Sequence, residues 1–316
     1  MIEIFSRAAD FPIPFVFCIL LAFLPTVAWF WFFGRALISK KFHLFLTFLS
    51  GMAAGGVMLV YQSFWGENFN AVFFSVEPQN FKIQIENIAA DALLALFLVS
   101  LSVGFLEEFL KHWMTKKTDH RIFESIDDVI HFSIVGALGF AFLENIGYFF
   151  KLFVDGNPQN LFSLFFGRSI FVVFIHLLCS GIYGYFYGLG FFASPILKNR
   201  EKNGVHTFIP EILHRLFHFR KAVVFRHQMA TLGLLIAMGI HGFYDFLMNS
   251  DVLIFRIAER EIAGHFLVLP VILIFGFWYL QFLLAKKEDQ RKMGHLVERE
   301  VFVLENSPKM TPISGK

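Results

Sequence analysis

Apolar residues gather along this chain into seven long runs, approximately 12–34, 42–63, 89–113, 128–151, 161–193, 228–250 and 264–285. Each is near or above the roughly 20 residues that a helix needs to cross the hydrocarbon core of a bilayer. The pattern predicts an all-α, polytopic membrane protein of about seven transmembrane helices. The run 161–193 is too long for one straight span, so part of it is expected to tilt or to leave the core. The polar insert 194–227 follows, in which Leu213, Leu216 and Phe217 recur among basic residues. That spacing predicts an amphipathic helix lying in the membrane interface.

Composition agrees with embedding. Of 316 residues, 56% are hydrophobic and only 16% charged, where globular domains carry about 25% charged residues. Cys18 and Cys179 both fall in apolar runs, which suggests neither a disulfide framework nor a cysteine metal cluster. No cleavable signal peptide is expected, because the first run is followed by Arg35, Lys40 and Lys41 rather than by a small-residue cleavage site. The loops after the first, third, fifth and seventh runs hold 21 of the 27 Lys and Arg. The positive-inside rule then puts the N-terminus outside and the C-terminus in the cytoplasm, with the cell membrane as the expected location. The same bias makes the basic loops topology signals, and no nucleic-acid partner is expected. The polar tail from Glu288 to Lys316 carries Pro308 and Pro312 and is expected to be disordered at its end.

Charge inside a span costs about 2.5–3.5 kcal/mol per residue on insertion scales, so the polar residues within the runs are the informative ones. In the third span Glu107 and Glu108 precede Lys111 and His112. Spacings of three and four let Lys111 reach either carboxylate. Adjacent helical residues point about 100° apart, so one glutamate can pair with the lysine while the other turns into a cavity. A bland alternative leaves both solvated near the interface. Glu144 lies deep in the fourth span, with Asn145 beside it and Phe140 and Tyr148 one turn away on either side. His176 is mid-run in the fifth, and His241 and Asp245 share a face of the sixth. Structural hydrogen bonding between helices would account for any one of these alone. Arg168 reads either as a counter-charge or as an interface anchor, and Asp91 as a helix N-terminal acid.

The third to sixth spans thus each carry ionisable groups, whereas the first, second and seventh carry essentially none. This predicts a four-helix polar core with three accessory spans. The set of carboxylates, histidines and a lysine contains no G-x-S-x-G, serine–lysine or H-E-x-x-H arrangement. A carboxylate can act as general base on water, and histidines can stabilise the oxyanion formed at a carbonyl. The same groups could bind a divalent metal or relay protons. Peptide hydrolysis, a proton or ion transporter and a non-catalytic scaffold or chaperone are therefore all chemically open. A transporter would more often show broken helices or paired repeats, and the chain shows neither.

Four motifs in this order, Glu107-Glu108-x-x-Lys111, Phe140-x-x-x-Glu144-Asn145, the mid-span His176 and His241-x-x-x-Asp245, resemble the PrsW family of intramembrane proteases. That family is similar to the CAAX-prenyl endopeptidases. Asp127 to Tyr148 is the most specific stretch, and the resemblance covers about residues 88–250. It implies a glutamic-type peptidase in which a glutamate activates water to cut membrane-protein or membrane-anchored peptide substrates within the bilayer, with regulated proteolysis in signalling as one use. Carried over by position, Glu107 is the expected base and Glu108 the partner of Lys111. Glu144 would help hold the water, with Asn145 supporting it. His241 and Asp245 would orient the carbonyl or its oxyanion, and His176 belongs to the site. No metal or other cofactor is expected, although the Glu/His set would not exclude a divalent ion.

On this reading residues 1–87 hold two accessory helices and an outer loop, 88–250 the protease core with the insert 194–227, 251–287 the last span and 288–316 the tail. One depth conflicts with a single site. Glu107 falls about six residues from the cytoplasmic end of its run and Glu144 about sixteen, a difference of roughly 15 Å for straight, untilted helices.

Overall fold

The computed structural model describes residues 6–33, 40–69, 90–119, 122–204, 207–249, 254–257, 260–263 and 265–285. Three helices, α1 (Pro12–Phe33), α2 (Lys41–Phe69) and α3 (Ala90–Asp119), lead to α4 (Ile126–Val154). The long fifth run becomes α5 (Pro158–Phe191), which opens with a 3-10 turn and contains a π turn at Arg168–Val172. Its surplus breaks off at Phe192 into a short helix, α6 (Ala193–Lys202). After α7 (Phe208–Phe217) come α8 (Lys221–Asn249), a small antiparallel hairpin of β1 (Ile254–Ile257) and β2 (Arg260–Ala263), and α9 (His265–Ala285). Six of these helices are long and apolar enough to cross a membrane. The seventh long helix, α3, carries the charged motif Glu107, Glu108, Lys111 and His112. The tail 288–316 and the side chain of Asp91 lie outside the described residues.

The hub is α4. Ser125 caps it by accepting from the Asp128 backbone N–H at 3.1 Å, while Asp127 and Asp128 in its first turn favour the positive end of the helix dipole. Nearly every residue from Ile126 to Phe150 is buried, apolar and polar alike. Helices α1, α2 and α5 pack directly on it. The approach of α2 is close enough that a Cβ on Gly139 would overlap the Phe48 carbonyl, and one on Gly51 the Gly136 carbonyl. By contrast α1 leaves Ile13, Leu20 and Trp31 more than half exposed, and in a bilayer that surface meets lipid. Such a large unpaired apolar face has no place on a water-soluble monomer.

The third, fourth, fifth and sixth long helices pack in succession, α3 on α8, α8 on α5 and α5 on α4, and α3 closes the ring on α4. The predicted four-helix core is thus a physical unit. The depth conflict also disappears. Hydropathy ends the third run at 113, but α3 continues to Asp119, so Glu107 stands twelve residues from that end and Glu144 eighteen from the start of α4. The remaining offset is about 9 Å for straight helices, and packing removes it.

The expected interfacial helix is α7, whose Phe208, Ile209, Leu216 and Phe217 are exposed on one side. The boundary of the insert differs from expectation. Helix α8 begins at Lys221 rather than after residue 227, because Ala222 and Phe225, one turn apart in its first turns, pack on Ala193 and Leu197 of α6.

Candidate active site

Helix α3 meets α8 where both carry glycine. A Cβ on Gly104 would lie 2.8 Å from the Gly242 backbone nitrogen, and one on Gly242 would lie 2.7 Å from the Leu101 Cα. This approach sets Glu107 and Glu108, one turn below Gly104, against His241. The two glutamates then part, as their 100° separation requires. Glu108 is fully buried and accepts from Lys111 Nζ at 2.6 Å and from His241 Nδ1 at 2.8 Å, both at Oε1. His112 Nε2 stands 3.3 Å from its second oxygen, with its ring stacked on Tyr183. Glu107 instead borders a cavity of about 900 Å³ shared with Glu144, Tyr148, Arg168, His176 and His241.

From Lys111 the contacts run on to the other pair of helices. Its Nζ is 2.8 Å from His176 Nδ1. An ammonium can only donate, so Nδ1 accepts and the imidazole proton sits on Nε2. That Nε2–H donates to Glu144 Oε2 at 2.9 Å. Lys111 also lies 4.6 Å over the Phe140 ring, which is why Phe140 occupies the turn before Glu144. On the far side Glu144 Oε2 is 3.0 Å from Arg168 Nη2, while Arg168 Nε donates to Asn145 Oδ1 at 2.7 Å and the guanidinium lies 3.8 Å over the Tyr148 ring. One chain of contacts therefore links Arg168, Glu144, His176, Lys111, Glu108 and His241 across four helices.

Two oxygens stand apart from it. Glu107 Oε2 is buried and makes no hydrogen bond, although His241 Nε2 is only 3.4 Å away. Asp245 sits at the cavity edge, 3.8 Å from His241 Nε2. The partner that fixes the His241 ring is Glu108, through Nδ1, and not the aspartate four residues on. Glu107, Glu108, Lys111, Glu144, His176, His241 and Asp245 thus fall in or beside one cluster, with Asn145 reaching it through Arg168. Sequence reasoning left Arg168 undecided and gave His112 no stacking partner. A lone arginine inside the apolar run 161–193 was the available signal for the first. Tyr244, which lines the cavity, carried none.

A sequence model of the family described as "PrsW family intramembrane metalloprotease" matches residues 39–278. The chain belongs to the PrsW family. The match reaches well beyond the stretch 88–250 recognised by its motifs, taking in α2 and much of α9. No curated protein and no solved structure matches the chain. As a PrsW protein it is an intramembrane protease, embedded in a bilayer and acting on membrane-embedded peptide.

The family's description names a metal, whereas the sequence led us to expect none. Donor atoms of Glu107, His176 and His241 lie within 4.8 Å of one another, as do those of Glu108, Cys179 and His241. His241 suits a ligand role, since its Nδ1–H is held by Glu108 as a metal-bound histidine requires. His176 does not. A metal on its Nε2 needs an acceptor at Nδ1, and Nδ1 faces the Lys111 ammonium. In the second set the same ammonium already holds Glu108. In this arrangement the first set fits a divalent cation only with Lys111 displaced, and in the second the ion would have to use Glu108 Oε2, which makes no hydrogen bond.

Proposed function

We propose that this PrsW protein hydrolyses peptide bonds through a water activated by Glu107. The observation that carries the reading is the unpartnered Glu107 Oε2, a buried acceptor bordering the cavity beside His241 Nε2. Glu108 is hydrogen-bonded through Oε1 to Lys111 and His241, and Glu144 through Oε2 to His176.

The chemistry follows from these placements. Glu107 takes a proton from water, and the oxygen attacks the scissile carbonyl carbon. The carbonyl oxygen gains the charge, and His241, protonated on both ring nitrogens, donates to it from Nε2 while its Nδ1–H stays on Glu108. Glu107 returns the proton to the amide nitrogen as the C–N bond breaks, leaving an acid and an amine. Asp245 faces the same His241 nitrogen and helps orient it. His176, locked with its proton toward Glu144, holds that side of the cavity in place. Lys111 keeps Glu108 ionised and therefore fixed on His241.

The far end of the cavity is lined by Leu152, Asn160, Met248, Asn249 and Leu269. These are helix ends away from the basic insert, so with the N-terminus outside the substrate reaches the site from the outer leaflet. The test is to incubate the detergent-purified protein with a panel of single-span membrane peptides and to identify products by mass. Cleavage within or next to the spanning segment is expected. A parent protein that cuts none of them contradicts the reading.

A further inference from the structure

The cavity contains a cationic donor that the proposed reaction leaves unused. Arg168 is only 8% exposed and lines the cavity together with Glu107 and His241. Its Nε is spent on Asn145, but its Nη2 makes no hydrogen bond. The 3.0 Å separation from Glu144 Oε2 pairs the charges without making a hydrogen bond. A buried donor left without an acceptor still carries a desolvation cost, and such exceptions call for a cause.

The surroundings hold that donor in place. Asn145, Glu144 and Tyr148 grip the guanidinium from three positions on α4. Arg168 opens the π turn Arg168–Val172, a local widening of α5 of the kind that often re-aims side chains at functional sites. Trp29 of α1 donates to the Ser169 carbonyl within that turn at 2.9 Å. The Arg168 side chain is thus braced from two other helices at the wall of the cavity.

What fills that space follows from the substrate's own chemistry. A spanning segment must lose its helical hydrogen bonds before a peptide bond can be attacked, and in a nearly dry cavity each released carbonyl needs a new donor. We propose that Arg168 is a substrate-binding residue, whose Nη2 turns from Glu144 toward the cavity and donates to a backbone carbonyl of the unwound segment next to the one attacked. This rests on the protease reading above and adds a subsite to it. Recognition is of backbone and not of sequence, so the residue selects for segments that unwind easily.

Binding can be read without turnover. Fluorescent single-span peptides from the cleavage panel are titrated against full-length Glu107→Gln protein in micelles, alone and with further changes at residue 168. Arg168→Lys keeps the charge beside Glu144 but lacks the fork needed to serve two acceptors. The pair Arg168→Gln with Glu144→Gln removes both charges together and avoids a lone buried carboxylate. Both should weaken peptide binding about ten- to hundredfold, the range for a charge-assisted hydrogen bond, with melting temperatures close to that of the Glu107→Gln protein. Unchanged affinity in both overturns the subsite and leaves the protease reading standing. Absence of peptide binding to the Glu107→Gln protein, together with absence of cleavage by the parent, overturns both.

Discussion

Lys111 Nζ stands 2.8 Å from His176 Nδ1 and 2.6 Å from Glu108 Oε1, fully buried among α3, α4 and α5. A single ammonium thus orders two functional side chains on different helices. It dictates the His176 tautomer and neutralises the carboxylate that grips His241. The lysine sits beside the donors that a divalent ion would use and supplies positive charge to the cluster itself.

Removing that charge should be costly. Lys111→Met leaves Glu108 buried and uncompensated, and breaking a buried pair from one side destabilises by about 3–5 kcal/mol. Thermal unfolding in detergent should show a large drop for this variant. The double change Lys111→Met with Glu108→Gln should recover much of it, since neither partner is then left charged. A single variant as stable as the parent contradicts the pairing.

The tautomer is separately observable. Nitrogen NMR of histidine-labelled protein, with His176 assigned by the difference from His176→Asn, should give a ring protonated at Nε2 and bare at Nδ1. The opposite tautomer rules out donation from Lys111.

The α3–α8 contact should tolerate no added methyl group. Gly242→Ala would put a Cβ within 2.7 Å of the Leu101 Cα, and overpacking of this kind costs about 1–3 kcal/mol. The separation that follows would draw His241 away from Glu108. Activity should therefore fall by more than the loss of folded protein explains, as measured by cleavage rate per folded molecule. Equal specific activity in Gly242→Ala and parent would sever that link.

Much of this was legible in the residues. Seven apolar runs, an amphipathic insert and ionisable groups confined to four spans are all properties of local composition. So is the division of Glu107 from Glu108, because helical geometry alone turns adjacent side chains apart. Hydropathy measures apolarity and not helix, however, and it ended the third span at 113 while the polar Lys116, Lys117 and Thr118 continued the helix to Asp119. That produced a false difference in depth between Glu107 and Glu144. The hairpin at Ile254–Ala263 was read as part of the last-span region, since two four-residue strands give little periodicity. Arg168 found its partners only through tertiary packing, because a π turn has no sequence signature. Glu108, rather than Asp245, proved to hold His241, a choice made by the glycine contact between helices and invisible to spacing along one of them.

The metal question has a direct answer. Elemental analysis of the purified protein should find no stoichiometric divalent ion, and strong chelators should leave cleavage unchanged. Stoichiometric zinc whose removal abolishes activity would contradict activation of water by Glu107 alone.

The measurement that bears most directly on the whole account compares cleavage by the parent with cleavage by Glu107→Gln, each corrected for folded protein. Removal of a general base lowers rates by about 10²–10⁴-fold, and a fall of that size with an unchanged melting temperature is the predicted result. A Glu107→Gln protein that cuts as fast as the parent contradicts the assignment of Glu107 as the group that activates water.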